Sequence, residues 1–251
     1  MASSLVDFHC HLDLYPDYLD VLAETERSRV LTLAVTTTPR AWPRNCEVTQ
    51  DLRYVSPALG LHPQLVGDNV RQELALWDRY FPDATYIGEV GLDGGPDHFR
   101  TLEQQRLVFQ HILAACADVG GKVISVHSVR SAKSVLDMIT TSLPPDRGRV
   151  VLHWFTGTPA QARRAVTLGC YFSINAPMLR NERGRALIKS LPLDRLITET
   201  DGPFAMAGYQ AARPSDIVHT VELLGKVLGQ PPTEISAMLS TNLSNLLHGA
   251  T

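Results

Sequence analysis

Val150-Val151-Leu152-His153, then Thr158-Pro159 through Leu168-Gly169, then Tyr171-Phe172-Ser173-Ile174 is the stretch that decides the fold. Its opening run is apolar and β-branched without polar alternation, which suits a strand buried on both faces of a parallel sheet. Thr158 reads as a helix N-cap and Pro159 as the first helical residue. That helix runs to Leu168 and stops at Gly169. A second strand follows at Tyr171–Ile174, so the unit is strand, helix, strand.

Outward from this unit the pattern repeats. Strands are expected at Leu5–His9, Val30–Thr36, Val55–Leu61, Tyr86–Val90, Val123–His127, Val150–His153, Tyr171–Ile174 and Leu196–Thr198. A helix is expected over Leu102–Val119, with Leu107, Ile112, Leu113, Ala115 and Cys116 near helical spacing and Gly120-Gly121 as its stop. Eight alternations of strand and helix argue for an α/β fold, a (β/α)8 TIM barrel. An open doubly wound sheet would carry a glycine-rich phosphate turn after its first strand. His9-Cys10-His11 stands there instead. A length of 251 residues suits one such barrel, so residues 1–251 read as a single domain.

Composition narrows the class. Hydrophobic residues are 44% and charged residues 20%, as in an ordinary globular protein. A net charge of −3 advertises no nucleic acid and leaves room for a local basic rim. Cys10, Cys46, Cys116 and Cys170 form no C-x-x-C pair and read as reduced thiols in a cytoplasmic protein. The N-terminus lacks a basic stretch followed by an apolar run, so no leader is expected. No apolar window of membrane-spanning length occurs, so no membrane association is expected.

The chemistry gathers at strand ends. Alternate residues of an extended segment point to one side, so His9 and His11 can face one point, and imidazole is a common ligand of zinc, manganese and similar ions. Glu89 ends the fourth strand among apolar and glycine neighbours, where a carboxylate needs a cation or strong donors. His127 ends the fifth strand, His153 the sixth, and Asp201 follows the eighth. In a barrel these ends share one face. Two cations bridged by Glu89 would acidify a water and steady charge on a phosphoryl or carbonyl oxygen, with Asp201 as ligand and proton acceptor. Mg, Mn and Zn all suit such donors.

These residues resemble the TatD family, the metal-dependent deoxyribonucleases among the amidohydrolase barrels. The likeness spans almost the whole chain: Asp7-Phe8-His9-Cys10-His11, Gly60-Leu61-His62-Pro63, Ile87 through Asp93, Gln105 to Phe109, Val126-His127, His153-Trp154-Phe155-Thr156-Gly157, Pro192 through Pro203, and Asn242. It implies one metal ion on His9, His11, Glu89 and Asp201, and a second on Glu89, His127 and His153. His62 would sit near the phosphate, although it also reads as a turn histidine before Pro63. Glu199 would orient the ligands or serve a structural salt bridge. The implied activity is cleavage of DNA, from free ends of single strands.

Four positions depart from the pattern. Gln64 replaces a second histidine, and Arg130 falls three residues after His127 rather than two, which bears on its role as a substrate contact. Gly94-Gly95-Pro96 replaces aromatic residues, and Ala212-Arg213-Pro214-Ser215-Asp216 replaces an N-E-P stretch. The chain also resembles the TatD-like members of Qat-type anti-phage defence systems, which implies protein partners in a defence complex. A small-molecule or ester hydrolase on the same scaffold and a partner-binding subunit are the competing functions. A groove edged by Arg180, Arg183 and Arg185 favours the nuclease, a closed apolar pocket the small-molecule enzyme, and a large exposed apolar patch the binding subunit. Those arginines, with Lys189, also read as a solvated helix face. His98 reads as a solvated loop residue or a substrate contact, His111, His219 and His248 as helix surface or packing, and Trp154 as either a base-stacking or a packing residue.

Overall fold

The computed structural model describes residues 5–248; the start of the N-terminal stretch read for a leader, residues 1–4, lies outside the described residues. The strands are β1 (Leu5–Cys10), β2 (Val30–Val35), β3 (Val55–Leu59), β4 (Tyr86–Gly91), β5 (Lys122–His127), β6 (Gly148–His153), β7 (Tyr171–Ile174) and β8 (Leu196–Thr198). They form one sheet in chain order. The pairs β1/β2, β3/β4, β4/β5, β5/β6 and β7/β8 are parallel. Parallel neighbours need crossovers. Helices supply them: α1 (Tyr18–Ser28), α2 (Trp42–Thr49), α3 (Val70–Tyr80), α4 (Leu102–Val119), α5 (Ala132–Ser142), α6 (Pro159–Thr167), and α7 (Ala176–Arg180) with α8 (Glu182–Lys189); α9 (Ile217–Leu228) and α10 (Pro232–His248) follow β8. This is the (β/α)8 class expected from the sequence, with strand ends within two residues of those expected.

The chain divides into two compact units, one holding the described residues up to Ala34, Asn45–Ser56 and those from Phe172 onward, the other Val35–Arg44 and Pro57–Tyr171. In the first unit β8 lies beside β1. Thr198 Oγ1 donates to the Val6 carbonyl at 2.5 Å. Beyond the strands, Asp201 N–H donates to the His9 carbonyl at 2.9 Å and His11 N–H to the Gly202 carbonyl at 2.8 Å. Asn242 on α10 is buried, and its Nδ2 donates to the carbonyls of Leu193 and Leu196, each at 2.7 Å. That clasp fixes the entry to β8 and accounts for the asparagine in the motif.

In the second unit Ile87, Val90, Ile124, Ser125, Val151 and Leu152 are all fully buried, so both faces of β4, β5 and β6 are covered. The helix α4 presents Gln105, Val108, Phe109, Ile112, Leu113 and Cys116 to the core at alternating steps of three and one. Leu107, expected on this stripe, is 68% exposed instead. It lies one residue, about 100°, ahead of Val108 and two ahead of Phe109, outside the apolar arc. At α6 the expected cap is present: Thr158 Oγ1 accepts from Gln161 N–H and Gln161 reaches back to Thr158 N–H, a capping box. Gly91, in the Gly-Glu-Val-Gly-Leu-Asp segment, sits at φ +136 with the His127 carbonyl only 2.2 Å from where a Cβ would stand.

No helix among the described residues is long and apolar enough to cross a membrane. One element was not anticipated. A short antiparallel hairpin, β9 (Met206–Ala207) and β10 (Gln210–Ala211), turns through Gly208-Tyr209 after Asp201. The α4 assignment sets a stability contrast. Phe109→Ala should cost about 3–5 kcal/mol in urea unfolding, and Leu107→Ala should stay within about 0.5 kcal/mol.

Candidate metal centre

In the first unit β1 delivers His9 and His11, and the turn after β8 delivers Asp201. All three are buried. His9 Nε2 and His11 Nε2 are 3.3 Å apart. Asp201 Oδ1 lies 3.8 Å from His9 Nε2 and 3.7 Å from His11 Nε2. Donors bonded at about 2.1 Å to a tetrahedral ion stand roughly 3.4 Å from one another, so this spacing admits a cation among them. Asp201 takes a left-handed φ of 56, which is uncommon for a residue with a side chain. Asp7 is fully buried beneath the cluster, where it accepts from Thr200 N–H at 2.7 Å and Thr200 Oγ1 at 2.6 Å. Burial pushes its carboxyl up to about 7 against those hydrogen bonds.

The second unit carries Glu89 on β4, His127 on β5, His153 on β6 and His62 after β3, all buried. His62 Nε2 is 3.2 Å from Glu89 Oε2, His127 Nδ1 is 2.6 Å from Glu89 Oε1, and His153 Nε2 is 3.7 Å from Glu89 Oε1. Donor atoms of His62, Glu89 and His127 lie within 4.8 Å of one another, close enough for a shared ion. His127 is held from both sides, since its Nε2 is 3.0 Å from Asp93 Oδ2. Burial opposes a charged ring there, but the bonds to Asp93 and Glu89 prevail and raise His127 to about 9. Burial likewise opposes ionisation of Asp93, and the donors on His127, Gln64 and Gly95 outweigh it, holding the carboxyl well below the usual range. In the metal-free protein these two contacts favour the protonated ring.

The remaining expectations divide. His62 meets both of its readings: its Nδ1 accepts from Gln64 N–H at 3.2 Å as a turn cap, and its Nε2 faces Glu89. Glu199 is fully buried, accepting from Ser173 Oγ and, at 2.9 Å, from Asn175 Nδ2. Arg130 lies exposed on the loop after β5 in a left-handed conformation. Of the arginine run, Arg185 donates to the carbonyls of Leu179 and Arg180 and so caps α7, whereas Arg180 is exposed. His111 pairs with Asp78 at 2.6 Å on the surface. Trp154 stands edge-on to the His153 ring at 6.3 Å.

Two site residues escaped the sequence reading, Asp7 and Asp93. Both lie inside the family motifs, two residues before His9 and four after Glu89. Gln105 belongs with them: it accepts from Asp93 N–H at 2.7 Å and donates to the Asp93 carbonyl at 3.2 Å.

The family model for the TatD-related DNases matches residues 6–248. The chain belongs to that family. It is 31% identical to the Mus musculus protein TATDN3, over 98% of this chain and 89% of that one. It is 28% identical to the Homo sapiens deoxyribonuclease TATDN3, over 96% and 94% of the two chains. The crystal structure of the TatD homologue YjjV from Escherichia coli K12 superposes with a TM-score of 0.87 at 25% identity, covering 100% of both chains. As a TatD family member the chain is a metal-dependent hydrolase acting on ester bonds, and its histidine and carboxylate clusters fit divalent cations.

A metal ion at His127 must displace a proton from its ring. In the metal-free protein, cation affinity at this cluster should rise about tenfold per pH unit and level off above about 9, with proton release on binding below that pH. Asp93→Asn removes one charged acceptor. The His127 midpoint, followed by NMR titration of the apo protein, should fall, and an unmoved midpoint would contradict the assigned contact.

Proposed function

We propose that this TatD family chain cleaves phosphodiester bonds of DNA, from free ends of single strands, using two divalent cations drawn from Mg²⁺, Mn²⁺ or Zn²⁺. The observation that carries the reading is the ion-sized convergence of His9, His11 and Asp201. In this reading those residues hold one cation, and Glu89, His127 and His153 hold the other. The family resemblance adds Glu89 as the carboxylate the cations share. Bound there, divalent ions would polarise a phosphoryl oxygen and lower the pKa of an attacking water.

The chain's own groups do the rest. Asp201, fixed through its backbone, takes the proton from the water. His62, with its Nδ1 taken by Gln64 N–H and its Nε2 3.2 Å from Glu89 Oε2, lies near the phosphate. Glu199 orients the ligands from below, held by Ser173 and Asn175. Arg130, exposed after β5, contacts the nucleic-acid backbone. The DNA substrate is supported by the family and by the human relative's name. A place in anti-phage defence, with protein partners, rests on the resemblance of His-Trp-Phe-Thr-Gly and Ala-Arg-Pro-Ser-Asp alone.

The test incubates purified protein with each cation and end-labelled single- or double-stranded DNA or RNA. Cleavage of single-stranded DNA should be lost in EDTA and return with the cation. Glu89→Ala should lose more than the roughly 100-fold that removal of a supporting hydrogen bond costs. Undiminished cleavage in Glu89→Ala would sink the metal assignment. Hydrolysis of small esters with no nucleic acid cut would give the site to a small-molecule enzyme.

A further inference from the structure

We propose that the cavity beside the β9–β10 hairpin is a nucleotide subsite, which holds the nucleotide next to the scissile bond of a single strand. The inference rests on the nuclease reading and adds to it a place and a chemistry for recognition. The cavity encloses about 280 Å³, and its walls include Pro177, Arg180, Thr200, Met206, Asp216 and His219. That is just under the roughly 300–1,000 Å³ of small-molecule sites, room for one nucleotide and too small for a base pair with its backbones.

The cavity is built onto the metal-binding turn. Thr200, in its wall, immediately precedes Asp201, and its hydroxyl is fixed on Asp7 at 2.6 Å. Ala205, also in the wall, donates its N–H to the Asp201 carbonyl at 3.0 Å. A ligand in the cavity is thereby referenced to Asp201 through two short, hydrogen-bonded segments.

The lining suits a nucleotide in three ways. Arg180 makes no side-chain hydrogen bond or ion pair among the described residues, so its fork is available to a phosphate. Pro177, Met206 and the neighbouring alanines give apolar walls against which a base can lie, and methionine sulfur packs well on aromatic faces. Asp216 has its Oδ2 on Arg213 N–H at 2.8 Å, and its carboxylate can also accept from an exocyclic amine or sugar hydroxyl. At the rim the hairpin turn displays Tyr209, wholly exposed, and Phe204 is 61% exposed with its ring edge-on to His11 at 5.0 Å. Aromatic rings exposed this way serve as stacking platforms for successive bases.

The experiment measures binding of fluorescein-labelled oligothymidylate in EDTA, where it is not cut, by anisotropy. Wild type should bind, and thymidine monophosphate should displace the label far better than thymidine. Arg180→Ala and Ala207→Trp, which fills the cavity, should each raise Kd at least about tenfold. Melting temperature monitors folding, and if Ala207→Trp unfolds, Arg180→Ala on the exposed surface decides. Kd values within twofold of wild type overturn the subsite. So does a wild type that cuts the oligonucleotide with a cation yet fails to bind it without one; in both cases the nuclease reading stands. A wild type that neither binds nor cuts the oligonucleotide overturns both.

Discussion

One buried carboxylate holds the end of β1 to the turn after β8. Asp7 has no solvent to satisfy it, so its oxygens must find donors in the protein. They find the Thr200 N–H and hydroxyl. With Thr200 pinned, Asp201 is constrained on every side: its N–H is on the His9 carbonyl, its carbonyl takes Ala205 N–H, and Gly202 receives His11 N–H. Those bonds hold the left-handed backbone of Asp201, a conformation that costs of order 1–3 kcal/mol at non-glycine residues and persists only where the surroundings over-determine it. The strained residue is the one whose carboxylate meets the two histidines. The first aspartate of the Asp-Phe-His-Cys-His motif is thus a splice between the two ends of the sheet.

The second unit orders its site through a different chain of contacts. Gln105 grips the backbone of Asp93 through both N–H and carbonyl. The Asp93 side chain then receives Gln64 Nε2 at 2.7 Å and faces His127. His127 in turn faces Glu89. Here the departure at position 64 acquires a meaning. A histidine in that place could gain or lose charge near neutral pH, whereas the Gln64 amide remains a neutral donor. Its donation is one of the contacts that favour the ionised Asp93 carboxylate.

Most of the fold was legible because parallel strands buried on both faces leave continuous apolar runs, as at Val123-Ile124 and Val150-Val151-Leu152. The residues that the structure gathers into the two clusters were legible because most of them follow such runs at once. What the sequence concealed depends on three-dimensional phase or on competition for donors. Leu107 is apolar, and only the angle it takes relative to Phe109 puts it outside. Arg185 looks like its neighbour Arg180, yet it is consumed by the unpaired carbonyls at the end of α7. The β9–β10 hairpin has strands of two residues each, too short to leave a periodicity.

These failures are not scattered. Strand-end groups are set by their strands, and strands that follow one another in chain order let sequence order stand for spatial order. The rim is made of turns and short helices whose side chains are shared between capping, packing and display, and a motif cannot say which use prevails. Arg130 and Arg180 are both exposed after strand ends, and Arg180 borders a half-open cavity. Substrate selection therefore has to be read from enclosure and from which cations remain uncommitted. The bond-breaking chemistry can be read from the donors alone, which is why the chain announces a metal-dependent hydrolase in its strand ends and keeps the choice of substrate in the loops beyond them.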